Sequence, residues 1–151
     1  MNQLGTIFSR GGLLKRSTFN LVRDILRDYP KLDAYIAKRK EEIDFPYKPT
    51  DVNAEIKGNQ QTDNMANRLI KIEQDKRLIG LERQKLVIEL NINQADERTA
   101  TIIKELYFKA RPKYTPKGLA DEVLHIDESY LHKLRNDFFI KLATDLGLPI
   151  D

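Results

Sequence analysis

Residues 115–146 read TPKGLADEVLHIDESYLHKLRNDFFIKLATDL, and this stretch predicts two helices joined by a short turn. Thr115 is a good N-cap residue and Pro116 suits a first helical turn, so the first helix is expected to begin there. We expect the turn at Leu124-His125-Ile126. Ala120 lies one residue earlier than the small residue usual in such motifs, which predicts a turn that is one residue longer. The apolar positions of the first helix are Leu119, Ala120, Val123 and Leu124.

The second helix is expected to begin after a cap at Asp127 and to bury one apolar arc. That arc contains Leu131, Leu134, Phe138 and Leu142. A helix enters the major groove of DNA when a neighbouring helix braces it, and polar side chains on its free face then contact base edges. The base-reading candidates are Ser129, His132, Lys133 and Asn136. The candidates for phosphate contacts are Arg111, Lys113, Thr115 and Lys117. An ordinary helical hairpin has the same outline, so spacing alone leaves both interpretations open.

The rest of the chain also has helical spacing, without the apolar alternation or hairpin signals that predict strands. Helices are expected from Ser17 to about Asp28, from Pro30 to about Ile43, from Thr62 to about Leu90 and from Asp96 onward, and Gly147 should end the last one. The sequence therefore predicts an all-α fold with an N-terminal helical pair, a long central helix and a C-terminal helix-turn-helix. The predicted domains are residues 1–61, which include a Pro-containing linker, 62–93 and 94–151.

The predicted central helix has apolar residues on two sides, so it is expected to make contacts on both. It can serve as the spine of the core, or it can pair with a second copy of the chain. The last helix is apolar around most of its circumference, and a second copy could cover it as well. The dimerisation candidates are Leu69, Ile72, Ile79, Leu86, Phe139 and Ile140. A homodimer would let two motifs read two half-sites.

Composition narrows the class of protein. The chain has 151 residues, a net charge of +3 and no cysteine, so disulfides and thiolate chemistry are excluded and an intracellular setting is expected. No apolar run is long enough for a membrane helix. Residues 104–117 carry five basic side chains and only Glu105 as an acid, which places positive charge at the entrance of the motif. There is no phosphate loop, dinucleotide fingerprint or nucleophile elbow, so we expect no enzyme, no cofactor and no metal.

Several segments resemble the RinA and ArpU group of phage transcriptional regulators over roughly residues 19–147. In the first half the resemblance is carried by Asp28-Tyr29-Pro30, residues 39–43 and Pro46-Tyr47-Lys48-Pro49-Thr50-Asp51 with Asn53. In the second half it is carried by residues 103–108, His125-Ile126, Lys141-Leu142-Ala143 and Leu146-Gly147. This half is also similar to the sigma-factor region that reads promoter minus-35 elements.

The resemblance implies a transcriptional activator of a phage or prophage late operon, with genes for packaging, morphogenesis and lysis. It implies promoter DNA and host RNA polymerase as partners, in the cytoplasm of a bacterial host. The alternative is a helical protein-interaction module of a phage packaging or transcription complex without direct DNA readout. Such a module would lack salt-dependent affinity for DNA.

Overall fold

A computed structural model describes residues 14–44 and 60–150, and these residues contain helices and no strand. The predicted all-α class is confirmed. The α-helices are α1 (Arg16–Asp28), α2 (Leu32–Asp44), α3 (Gln60–Gln74), α4 (Lys76–Gln94), α5 (Glu97–Leu106), α6 (Pro116–Leu119) and α7 (Glu128–Leu146). A 3₁₀-helix (Tyr29–Lys31) separates α1 from α2, and a π-helix (Ala120–Leu124) continues α6. Within these ranges, every helix is too short or too polar to cross a membrane. Residues 1–13 and most of the predicted linker lie outside the described residues.

The helices form two compact units that differ from the predicted domains. The C-terminal unit comprises described residues 14–30 and 84–150, and the middle unit comprises 31–44 and 60–83. The boundary therefore falls within α4. The predicted N-terminal helical pair is not one unit, because α1 packs on α7 whereas α2 packs on α3. Val22 and Leu26 of α1 are fully buried, and the burial of this face decides where α1 belongs.

The core of the C-terminal unit surrounds Phe139, which is completely buried. Its ring centroid lies 4.8 Å from that of Phe19 and 5.3 Å from that of Tyr107. Other fully buried side chains in this unit are Val22, Leu26, Ile88, Ile102, Ile103, Leu119, Leu131 and Leu142. Phe139 was predicted as a dimerisation residue, and this is wrong because its own chain encloses it. Helices α1 and α5 pack on α7, where Phe139, Leu142 and Ala143 are fully buried whereas Ile140 is half-buried.

A polar network ties the second half of α4 to α7 inside the same unit. Asn91 is 3% exposed and donates to Asp145 Oδ2 at 3.0 Å. Lys141 Nζ donates to Asn91 Oδ1 at 3.2 Å and to Asp145 Oδ2 at 3.0 Å. The hydrogen bond from Asn91, followed by the one from Lys141, lowers the pKa of Asp145. A buried amide with satisfied partners fixes the register between these two helices.

The predicted continuous helix from Thr62 to Leu90 is interrupted at Asp75, between α3 and α4. Asp75 Oδ1 accepts a hydrogen bond from the backbone N–H of Leu78 at 2.8 Å, so the side chain caps α4. Asp75 also forms a paired contact with Arg39 of α2, at 3.1 Å from Nε and 2.6 Å from Nη2. An aspartate that satisfies free helix amides and a guanidinium at once favours a new helix start over continuation.

Candidate nucleic-acid interface

The first helix of the motif is a short α-helix that continues in π-helical form. Thr115 Oγ1 accepts from the backbone N–H of Gly118 at 3.0 Å, and Pro116 occupies the first turn, as predicted. Leu119 and Ala120 are fully buried, and both α6 and the π-helix pack on α7. The first helix therefore braces the second. The π-helical turn accommodates one more residue than an α-helical turn would, which accounts for the early position of Ala120.

The turn lies where the sequence predicted it. His125 adopts a left-handed conformation with φ 54° and ψ 50°, and the backbone N–H of Ile126 donates to Ala120 O at 3.0 Å. Histidine is one of the few non-glycine residues that are enriched in this region. The role of His125 is thus to reverse the chain, and its side chain is exposed. Among the described residues, no three His, Asp or Glu side chains come together to hold a metal ion.

Helix α7 begins after Asp127, which has the extended backbone of an N-cap residue. Its carboxylate accepts no capping hydrogen bond from α7, so the predicted capping role is fulfilled by the backbone conformation alone. Asp127 and Glu128 still place negative charge at the positive end of the helix dipole. The same charge lies next to any phosphate that approaches this end, and it disfavours that contact.

The base-reading candidates are not equally accessible. Ser129 and Lys133 are exposed, whereas His132 and Asn136 are half-buried. His132 Nε2 lies 3.2 Å from Glu128 Oε2, and its Nδ1 is buried without a hydrogen-bond partner. Asn136 Oδ1 accepts from Arg135 Nε at 3.1 Å. His132 and Asn136 lie on the same side of α7 as Phe139 and Ala143, which are fully buried. This side of the helix is therefore partly covered at His132 and Asn136.

Two lysines of the predicted interface already pair with carboxylates four residues further on. Lys117 Nζ lies 3.0 Å from Asp121 Oδ2, and Lys133 Nζ lies 3.1 Å from Asp137 Oδ2. The hydrogen bond with Asp121 raises the pKa of Lys117, so this lysine stays charged in the neutral range. A phosphate or base must compete with these carboxylates. Exposed pairs of this kind contribute little to stability, so the competition is weak.

The other phosphate-contact candidates lie around the entrance of the motif. Arg111, Lys113 and Thr115 are exposed, and Lys113 Nζ lies 5.5 Å from the ring centroid of Tyr114. Lys109, nearby in sequence, pairs with Glu105 at 2.7 Å. Among the described residues, no carboxylate forms an ion pair with Arg111 or Lys113. These two cations are therefore well placed for an external anion.

The remaining dimerisation candidates retain accessible surface. Leu69 is 62% exposed and Leu86 is 55% exposed, and Ile79 is also exposed. Ile72 and Ile140 are half-buried. Each unit by itself therefore presents apolar side chains that the described residues leave accessible.

Sequence reasoning missed Arg135. Its guanidinium lies 5.0 Å from the ring centroid of Phe19 and 5.9 Å from that of Phe139. The signal was its position between Leu131 and Phe139 on the helical wheel, where a basic residue interrupts the apolar arc. A cation placed there must stack on aromatic rings or face a cleft.

Residues 20–144 match the family described as "Protein of unknown function (DUF722)". The chain is also 31% identical to "Transcriptional activator rinA" of Staphylococcus phage phi11 over 139 residues, which cover 89% of this chain and 94% of that protein. No solved structure matches the chain.

Proposed function

This chain belongs to the RinA-type DUF722 family, and from that premise we propose that it is a DNA-binding transcriptional activator of a phage or prophage late operon. The observation that carries the proposal is the exposed polar face of α7, with Ser129 and Lys133, on a helix whose opposite side is clamped by Leu119 and Ala120. A braced helix with a free polar face is the geometry that major-groove readers share.

Each proposed contact follows from the chemistry of its side chain. Lys133 donates to guanine acceptors, Asn136 pairs with adenine, and Ser129 and His132 bond base edges or nearby phosphates. Arg111, Lys113, Thr115 and Lys117 contact the sugar-phosphate backbone and set the register. Host RNA polymerase and a second copy of the chain are the protein partners that we propose. Leu69 and Ile79, both exposed in the middle unit, are the surface that we propose for the second copy. The protein acts in the cytoplasm of the bacterial host.

The test measures duplex binding at several salt concentrations, with promoter DNA of the late operon and with random-sequence duplex. We expect the logarithm of the affinity to fall linearly with the logarithm of salt concentration, with about 0.9 units of slope for each phosphate contact. Lys133→Ala and Asn136→Ala should lower only promoter affinity, by about 1 to 3 kcal/mol each. Lys117→Ala should weaken both duplexes alike and flatten the slope.

Two controls make this test decisive. Lys40→Ala removes an exposed cation of α2 that pairs with Glu82 at 3.7 Å, and it should change neither affinity. Equal losses on promoter and random duplex from Asn136→Ala would contradict its role in base reading. A chain that binds no duplex with salt dependence would contradict the proposed function as a whole.

The alternative is a protein-interaction module without DNA readout. It is favoured by the apolar side chains that α3 exposes in the middle unit, which include Met65, Leu69 and Ile70. Exposed apolar groups on one helix are typical of partner surfaces. A promoter-reporter measurement separates the two functions, because Lys133→Ala abolishes activation only if α7 reads DNA. Leu69→Asp should abolish it in either case.

A further inference from the structure

A cleft of about 240 Å³ lies beside the proposed base-reading face, within the C-terminal unit. It is lined by Leu14, Arg16, Phe19, Arg135 and Asn136. Two of these side chains are guanidinium groups, and none is acidic. Asn136 belongs both to the cleft and to the base-reading set, so the cleft adjoins the surface that DNA would contact.

Arg135 is held in place by groups that carry no negative charge. Its guanidinium lies over the rings of Phe19 and Phe139, its Nη1 donates to Tyr107 Oη at 3.5 Å, and its Nε donates to Asn136. A guanidinium has five N–H donors, and these contacts leave several of them for an incoming acceptor. Because packing already fixes the side chain, little rotamer entropy is lost when an anion binds.

The residues that the structure describes do not neutralise the charge of the cleft. Among the described residues, no carboxylate lies within ion-pair distance of Arg16 or Arg135, in contrast to Lys117, Lys133 and Lys141. Two other clefts of this unit do contain acids, since Asp137 lines both. A partly buried cation without a counterion is costly in the free protein, and an anionic ligand removes that cost. Planar guanidinium groups match the oxygens of a phosphate better than an ammonium does.

We propose that Arg16 and Arg135 together bind one backbone phosphate of duplex DNA at the edge of the groove that α7 enters. This inference rests on the proposed function. It adds a phosphate contact from α1, in addition to those from residues 111–117. Base-edge readers are regularly positioned by phosphate contacts beside the recognition helix, and the shared Asn136 places this cleft there.

The test uses the full chain and a labelled duplex of random sequence, because a phosphate contact is independent of sequence. Arg16→Ala and Arg135→Gln should each lower the affinity about three- to tenfold and reduce the salt slope by about 0.9. The double variant should reduce the slope by the same single step, because both side chains bind one phosphate. Two separate steps of slope would overturn the shared site.

Arg23→Ala is the matched control. It removes a cation from the same helix that does not line the cleft and lies 3.3 Å from Asp24, so the salt slope should stay unchanged. Arg16 is exposed, and its variant is expected to fold. Circular dichroism checks that Arg135→Gln is also folded, and Arg16→Ala tests the proposal by itself if it is not.

The outcomes separate the cleft from the proposed function. If Arg16→Ala leaves the slope unchanged while Lys117→Ala flattens it, the cleft assignment is wrong and DNA binding stands. If the unmodified chain has no salt-dependent affinity for duplex, both the cleft assignment and the proposed DNA-binding function are wrong. A titration with inorganic phosphate, followed by amide chemical shifts, tests the other source of the same chemistry. Phosphate binding that requires Arg16, together with an unchanged DNA slope, would make this a site for a free anion and overturn the DNA contact.

Discussion

In the C-terminal unit, side chains from α1, α5 and α7 enclose Phe139, whereas the middle unit buries few apolar groups, namely Leu32, Ile43 and Leu78 among its described residues. The middle unit relies instead on the paired contact between Arg39 and Asp75, at 2.6 Å. A large apolar core resists local opening more than a polar contact between two helices does. We therefore expect the unit with the proposed DNA-reading helix to open less readily than the middle unit.

Phe139→Ala is expected to have the largest effect. It removes an aromatic ring from a fully buried position and leaves a cavity, so the free energy of unfolding of the C-terminal unit should fall by about 3 to 5 kcal/mol. Hydrogen exchange of the α7 amides, recorded at increasing urea concentration, measures this loss of unfolding free energy. Leu21→Ala, at a position on α1 that is 45% exposed, is the control and should cost less than about 1 kcal/mol. Similar losses from both variants would refute the central role of Phe139.

Asp75→Asn should have the next largest effect, and only on the middle unit. The hydrogen bonds from Arg39 and from the backbone of Leu78 lower the pKa of Asp75 from 3.8 to about 2. Because the folded state holds this carboxylate ionised, its contribution is complete above the ordinary pKa and is lost as pH falls toward 2. Amide exchange in α2 and α3 should therefore accelerate between about pH 4 and 2 in the unmodified chain.

In the Asp75→Asn variant that acceleration should be largely absent, since the group no longer titrates. Glu82→Gln is the control from the same unit, because Glu82 forms an exposed pair with Lys40 at 3.7 Å. It should leave the pH dependence as it is. An unchanged profile in Asp75→Asn would mean that the middle unit is not held by this contact.

His125 offers a smaller effect within the motif. Because its φ is 54°, we expect His125→Val to lower the unfolding free energy by about 1 to 2 kcal/mol, and His125→Gly to change it by less than about 1 kcal/mol. Thermal unfolding of the two variants measures the difference. Equal stability of the valine and glycine variants would contradict the left-handed turn.

Asp137→Asn should lower the free energy of unfolding least among these variants, and it should raise the affinity for DNA. The Lys133–Asp137 pair is exposed, so its loss should cost less than about 0.5 kcal/mol of unfolding free energy. The freed lysine should raise the affinity for duplex DNA about threefold at low salt, because one competing carboxylate is gone. Asp24→Asn removes an acid from α1 as the control. An affinity gain of the same size in both variants would indicate a general charge effect.

The termini of the motif helices could be predicted because they depend on local chemistry. Helices begin after Asp96 and Thr115, whose side chains cap them, and the last helix ends at Gly147, which adopts a left-handed backbone conformation. The break at Asp75 was missed because its apolar surroundings continue the helical period, and the decisive partner, Arg39, is distant in sequence. Periodicity does not report such a tertiary contact.

The candidate site was predictable only in part for the same reason. Ser129 and Lys133 have the exposure that the helical wheel predicts, but His132 and Asn136 are half-buried, and Asn136 lines a cleft with Phe19 of α1. The sequence does not reveal that α1 packs on α7, since residues 29–127, which include the middle unit, lie between these two helices in the sequence. Arg135 escaped notice because its role depends on Phe19 of that same distant helix.

The π-helix Ala120–Leu124 allows the motif to become one residue shorter without a change in how its helices pack. A π-helical turn contains an additional residue and relaxes to an α-helical turn when that residue is removed. Deleting one exposed residue of this segment, such as Glu122, would therefore be absorbed inside the turn and would leave the docking of both flanking helices intact. The same deletion in α7 would rotate every later side chain by about 100° and bring charged groups into the core.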